Sequence, residues 1–253
     1  MAIKRKIYRL RQGDIIDIEE YHDGRYGAPG LPRQKKRELT KEEMQKVNAA
    51  NKTRRCRHRL LTYFGSEDYF ATWTYRVEER PPDMQTALKH FQKAMRYVRR
   101  EYRKRGTPVF WIRNIERGTR GAWHIHLVIN RIADTAGILE EAWEHGGVYL
   151  AQIKNSTYYD EDFTKLASYL TKDENTKEER KDGTMAKPRI REANYNSSRN
   201  MPLPEPHVRK INRWKKEAKP WKGYYIARSY QGINPKTGYE YRRYTMIRLY
   251  RRI

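Results

Sequence analysis

The sequence predicts an α+β protein, an antiparallel sheet with helices packed against it, in the order strand, helix, strand, strand, helix, strand. Three observations carry this. Apolar residues at 84, 87, 88, 91, 94, 95, 98 and 102 follow helical spacing over some five turns, behind an N-cap at Asp83. The stretch WHIHLVI (123–129) instead has strand-like alternation, with Trp123, Ile125, Leu127 and Ile129 on one face. Between it and the strand-like PVFWIRNIE (108–116) lies RGTRG, whose glycines suit a hairpin turn.

The remaining elements follow in order. Residues 1–39 read as basic and irregular, and 24–37, crowded with Gly and Pro and ending in a cationic run, reads as an extended arm. Thr40 and Glu43 form a capping-box pattern for a helix reaching about Phe64, with arginines at 54, 55, 57 and 59 around it. YFATWTYRV (69–77) is a strand rich in aromatic and β-branched residues. The helix from Asp83 ends at Gly106-Thr107-Pro108, and the hairpin strands 109–116 and 122–130 come next. Asp134 is the expected cap of another helix, with Ile138, Leu139, Ala142 and Trp143 inward and Gly146-Gly147 as its stop, before a strand at 147–153. That order describes a split βαβ sheet of ferredoxin-like type. A further helix is expected over 160–175, with Phe163, Leu166, Ala167 and Leu170 on its apolar face and Lys165, Tyr169 and Lys172 on the other. Residues 173–222 read as loop and partial helix, and the end of the chain as a β-hairpin around residues 234–238. The implied organisation is a basic N-terminal arm and helix (1–65), a central domain (66–175) and a basic C-terminal extension (176–253).

Net charge is +24, from 55 Lys+Arg against 31 Asp+Glu, which points to a polyanionic partner. Twenty Tyr and six Trp are interleaved with the cations, a mixture that suits single-stranded nucleic acid, whose bases stack on rings while phosphates meet charge. The single cysteine, Cys56, allows neither an intramolecular disulfide nor a cysteine-based zinc site. The N-terminus has charge but no apolar leader core, and no run approaches the length of a membrane span, so a cytoplasmic protein is expected.

His124 and His126 alternate to the same side of their strand, roughly 7 Å apart, where two imidazoles can share a cation or stand as a solvated pair. With Glu116 opposite 122 and 114 opposite 124, Glu116 shares the histidine face. A His-His-carboxylate set suits a hard or borderline metal that must still bind substrate oxygens. Arg117 and Arg120 in the same hairpin, and Lys165, are the candidate contacts to a DNA backbone.

These residues resemble the HUH single-strand DNA endonucleases, in the branch of rolling-circle replication initiators of small single-stranded DNA phages and plasmids. YFATWTY (69–75) looks like the first motif, His124-Ile125-His126 the second, and Tyr169-Leu170-Thr171-Lys172 the third, Tyr-x-x-Lys; together they cover about residues 66–175. The resemblance implies Mg²⁺ or Mn²⁺ held by Glu116, His124 and His126. It implies attack by Tyr169 on single-stranded or cruciform origin DNA, a 5′-phosphotyrosine intermediate with a free 3′-OH, and Lys172 near the developing charge. Tyr169 has Lys165 one turn before it, so the pattern fits the one-tyrosine type; Tyr158 or Tyr159 is a candidate for a second cut. No helicase motif is found, so a separate helicase and polymerase are implied, in a bacterial host cell. A transposase of the same chemistry, or a non-enzymatic single-strand-binding module on a ferredoxin-like sheet, are the alternative readings.

Overall fold

A computed structural model describes residues 3–22, 37–176, 186 and 188–250. In chain order the elements are β1 (Ile3–Leu10), β2 (Ile15–His22), α1 (Lys41–Tyr63), β3 (Tyr69–Thr74), α2 (Met84–Lys104), β4 (Trp111–Gly118), β5 (Trp123–Ile129), α3 (Thr135–Ala142), β6 (Val148–Gln152), α4 (Thr164–Leu170), β7 (Ile190–Ser197), β8 (His207–Ile211), β9 (Tyr224–Ile233) and β10 (Glu240–Arg248). The chain divides into two compact units, Lys52–Pro202 and Met1–Asn51 with Leu203–Ile253. Among the described residues no helix is long and apolar enough to cross a membrane.

In the 52–202 unit the expected βαββαβ order is present as β3, α2, β4, β5, α3, β6. Its antiparallel sheet runs β6-β3-β5-β4, and β7 adds a fifth strand beside β4. The Asp83 carboxylate caps α2 by accepting from Thr86 N at 2.7 Å. The apolar stripe of α2 packs with Ile138, Leu139 and Trp143 against Trp73, Ile115, Trp123, Ile125 and Leu127 on one sheet face. That burial is the unit's main stabilising term, because each fully buried aliphatic or aromatic side chain contributes about 1.5–3 kcal/mol. The opposite face is left for the histidine-bearing positions of β3, β4 and β5. Gly146 is required by close approach: a Cβ there would stand 2.2 Å from the Thr74 carbonyl oxygen. Asp134 makes no capping hydrogen bond in α3; it accepts instead from Arg105 Nε at 2.9 Å.

Several expectations need correction. The β4–β5 register pairs Glu116 with His124 and Asn114 with His126, two residues away from the pairing inferred from the turn. The strands continue to Gly118, whose N–H donates to Ala122 O at 2.8 Å, and Gly121 at φ 79° closes a short loop. A shift of two keeps every side chain on its face, so Glu116 still shares the histidine side. α4 is one short helix rather than sixteen residues. It begins at Phe163, held at φ 55°, and Asp162 and Asp160 accept from Thr164 N and Lys165 N. Its expected apolar residues are all buried.

The other unit carries the larger correction. Residues 3–22 are not an irregular arm but a β-hairpin, β1–β2, and part of the expected loop region forms β7 and β8. The antiparallel sheet runs β8-β1-β2-β10-β9. The C-terminal hairpin, β9–β10, turns at residues 234–239 as expected. Ile7, Ile16, Ile18, Tyr244 and Met246 form a buried cluster on one face, with Trp221 and Ile226 against it. On the same face Glu20, fully buried, lies between Arg5 and Arg242 on the neighbouring strands; it accepts from Arg5 Nε at 2.6 Å, Arg242 Nε at 3.1 Å and Tyr244 Oη at 3.3 Å. The capping box of α1 is formed reciprocally, Thr40 N to Glu43 Oε2 at 3.0 Å and Glu43 N to Thr40 Oγ1 at 3.2 Å. Most of the 24–37 stretch lies outside the described residues.

Candidate active site

Strand alternation puts Phe70, Thr72 and Thr74 of β3 on one sheet face, together with Asn114 and Glu116 of β4 and His124 and His126 of β5. α4 brings Tyr169 onto this face. At its centre is His126, only 6% exposed. Its Nε2 lies 2.9 Å from Glu116 Oε1 and 2.9 Å from the Tyr169 hydroxyl, and its Nδ1 lies 3.1 Å from Thr72 Oγ1. One neutral tautomer satisfies all three: Thr72 donates to Nδ1, and the Nε2 hydrogen is shared between Glu116 and the Tyr169 oxygen. His124 lies parallel to His126, ring centroids 6.1 Å apart.

Tyr169 is fixed from several sides. The Tyr158 ring stacks on it at 3.6 Å and 19°, Phe70 meets it edge-on at 5.9 Å, and Lys172 Nζ lies 4.9 Å from its ring centre. Lys172 follows α4 directly, and its carbonyl accepts from the buried Asn114 Nδ2 at 3.0 Å, which ties the segment after the helix to β4. Two further ties hold the neighbourhood. Thr53 and Thr171 hydroxyls meet at 2.7 Å, and Lys52 donates to Asp173 at 2.6 Å.

Burial would raise the Glu116 carboxyl, but the hydrogen bond from His126 and the positive charges around it outweigh that, and it titrates below the usual glutamate value. Burial, and then the neighbouring His126, push His124 below the ordinary imidazole value. Both groups are therefore held in the deprotonated state that metal ligation requires.

The donor set fits a divalent cation in its chemistry. Two imidazoles and a carboxylate occupy adjacent positions of one face, and Glu116 Oε2 is buried with no hydrogen-bond partner among the described residues. As the side chains stand, no three His, Cys, Asp or Glu among the described residues form a ready metal-binding group. His126 Nε2 is engaged by Glu116 and Tyr169 instead.

Of the sequence-predicted residues, Glu116, His124, His126, Tyr169 and Lys172 come together. Lys165 is exposed on α4, and Arg120 is exposed at the hairpin tip. Arg117 alternates to the opposite face, where its guanidinium lies 5.5 Å from the centre of the Trp123 ring. Sequence reasoning missed Phe70, Thr72 and Asn114. The alternation of YFATWT could have found the first two; Asn114 carries no local signal. Tyr158 was a candidate for a second cut, and its contact is with Tyr169 itself.

Residues 68–174 match a family model for the replication-associated protein ORF2. The match spans all five of the assembled residues and under half of the 253-residue chain. It supports a replication-initiator protein of Rep type. No curated protein and no solved structure matches the chain.

Proposed function

We propose that the 52–202 unit nicks and rejoins single-stranded origin DNA with Tyr169 as nucleophile, as a rolling-circle replication initiator of the HUH type. The observation that carries this reading is the Tyr169 hydroxyl 2.9 Å from His126 Nε2, itself 2.9 Å from Glu116. Residues far apart in sequence, in the three motif positions, thus converge on one phenol oxygen. Support for the initiation role comes from the family match over the same segment.

The step balances without a nucleotide cofactor. The Tyr169 oxygen bonds to phosphorus as the phosphorus–O3′ bond breaks; the phenol gives up its proton and the leaving 3′ oxygen gains one. The reverse reaction rejoins the strand from the conserved phosphodiester energy. Glu116, His124 and His126 would hold Mg²⁺ or Mn²⁺, which when bound would supply positive charge to the non-bridging phosphate oxygens. The chain's own residues do the rest. Tyr158 and Phe70 restrict the Tyr169 ring, so the phenol oxygen needs little reorientation. Lys172, tethered through its carbonyl to Asn114, keeps an ammonium beside the phenol, where it favours the anionic form and offsets developing charge. Partners would be single-stranded or cruciform origin DNA and a separate helicase and polymerase, in the cytoplasm of a bacterial host.

A covalent-adduct assay tests this. The protein is mixed with a randomised single-stranded DNA pool and Mn²⁺, then run on a denaturing gel. A shift that disappears with EDTA and with Tyr169→Phe is expected. An adduct surviving in Tyr169→Phe would remove Tyr169 as nucleophile. Tight binding without any adduct, on a native origin as well, would instead favour a binding module.

A further inference from the structure

The sheet face opposite His124 and His126 borders a groove of about 980 Å³ between α2 and the segment that follows β7. Arg96, Arg99 and Arg103 of α2 line one wall, Arg199 lines the other, and Arg113 and Trp111 of β4 lie between; among the described residues no carboxylate lines it. Arg96, Arg99 and Arg103 stand three and four residues apart, so they share one helix face.

Arg113 is the informative member. It is only 2% exposed, and among the described residues its side chain meets no acidic partner: Nη1 donates to Asn194 O and, at 2.9 Å, to Asn194 Oδ1, and the guanidinium lies 5.1 Å from the centre of the Phe91 ring. Its Nε is buried without an acceptor among those residues, and so is Trp111 Nε1. A buried cation with an unanswered donor is costly to keep in a fold. Burial pushes the Arg113 guanidinium down to about 10, and burial together with Arg96 lowers Arg99. Like charges and orphan donors facing one groove call for an anion.

We infer that this groove holds the phosphodiester backbone of a DNA segment, distinct from the strand at Tyr169. The inference rests on the reading that the chain works on DNA. A polymer fits better than a single nucleotide. Seven residues of helix separate Arg96 from Arg103, about 10 Å at 1.5 Å per residue, and a DNA strand carries a charge about every 3.4 Å, so some three successive phosphates match the row. One protein could then grip its origin on one sheet face while cutting on the other.

The test is fluorescence anisotropy of a labelled DNA hairpin with a single-stranded tail, titrated with full-length protein over a range of salt. Arg99→Glu combined with Arg199→Glu changes exposed residues only, and Arg209→Glu combined with Lys222→Glu, also exposed, makes the same change in net charge elsewhere. The groove variant is expected to bind at least about tenfold more weakly at physiological salt. Losing two phosphate contacts should reduce its salt slope by about 1.4–1.8. The control pair should change affinity less than about threefold, and the groove effect should persist in a Tyr169→Phe background, which separates this claim from the nuclease. Equal losses in the two pairs, an unchanged slope, or displacement of the DNA by adenosine triphosphate at low concentration would each overturn it.

Discussion

Glu20 gives a sharp test of how the sheet formed by residues 3–22 and 207–248 is held. Its side chain is 0% exposed, against 16% for Arg5 and 4% for Arg242. Glu20→Ala would leave two largely buried guanidinium groups with no anion between them, and a Tyr244 hydroxyl without its acceptor. Removing one partner of a buried ion pair typically costs about 3–5 kcal/mol. Arg5→Ala is gentler, because Glu20 keeps Arg242; a lost charged hydrogen bond at a partly exposed site is worth about 1.5–3 kcal/mol. Arg242 has further ties, its Nη1 donating to the Lys215 and Lys216 carbonyls at 3.0 and 3.3 Å. Urea unfolding followed by near-ultraviolet circular dichroism reads the difference. With a denaturant slope of about 1–3 kcal/mol per molar, the Glu20→Ala midpoint should fall by at least about 1 M, and by clearly more than that of Arg5→Ala. Equal shifts for the two variants, or a shift under about 0.3 M for Glu20→Ala, would refute the reasoning that the carboxylate is the indispensable member.

Other consequences concern the candidate site and its support. Asn114→Ala frees the Lys172 carbonyl, and a destabilisation of about 1–3 kcal/mol is expected, with adduct formation slowed at saturating DNA; an unchanged adduct rate would show that the tether does not position Lys172. Tyr158→Ala removes a stacked ring worth about 0.5–1.5 kcal/mol and should slow adduct formation about threefold to tenfold, whereas Tyr158→Phe keeps the ring and should keep the rate, unless the Tyr158 hydroxyl itself reacts. Gly146→Ala drives a Cβ into the Thr74 carbonyl, so thermal unfolding should show a loss of about 1–3 kcal/mol. His90 stacks on His145 at 3.9 Å, and burial, then that neighbour, hold it below the ordinary value of 6.5. A depressed histidine resists protonation in the folded state only, so its contribution is complete above about pH 6.5 and is lost as pH falls through the folded value. Urea midpoints should therefore decline between neutral pH and about pH 5, with a shallower decline in His90→Asn.

What was legible in the sequence is what is locally encoded. α2 announces itself through Asp83 and one continuous apolar stripe, and the Thr40–Glu43 box forms as written. The histidine face follows from alternation alone, which is why a register two residues out still placed Glu116 correctly. β1 and β2 escaped notice because their charges are answered across strands. Arg5 finds Glu20 in the adjacent strand, and Glu19 accepts from Arg243 at 2.9 Å. Read along the chain, the same residues look like a solvated arm. Asn114 escaped for the same reason, since its partner is fifty-eight residues away. The length of α4 was overestimated because apolar spacing continues upstream of Phe163, where the backbone turns left-handed.

The interleaving of the terminal sheet has a consequence for synthesis. β2 pairs with β10, whose partner residues lie more than two hundred positions later, such as Tyr21 with Tyr241. At about 5–20 residues per second, translation of the intervening chain takes roughly 10–45 s. All the strands of the 52–202 unit are out of the ribosome before β10 exists. During that interval the β1–β2 hairpin waits with an open edge, a template for mispairing with other nascent chains. Asp17, Glu19 and Glu20 lie along that edge, so for those seconds the strand carries a row of carboxylates, in a chain whose own surplus is cationic. The acidic row that later seats Arg242 and Arg243 thus also guards the nascent edge, repelling a second copy of the same strand until its late partner arrives.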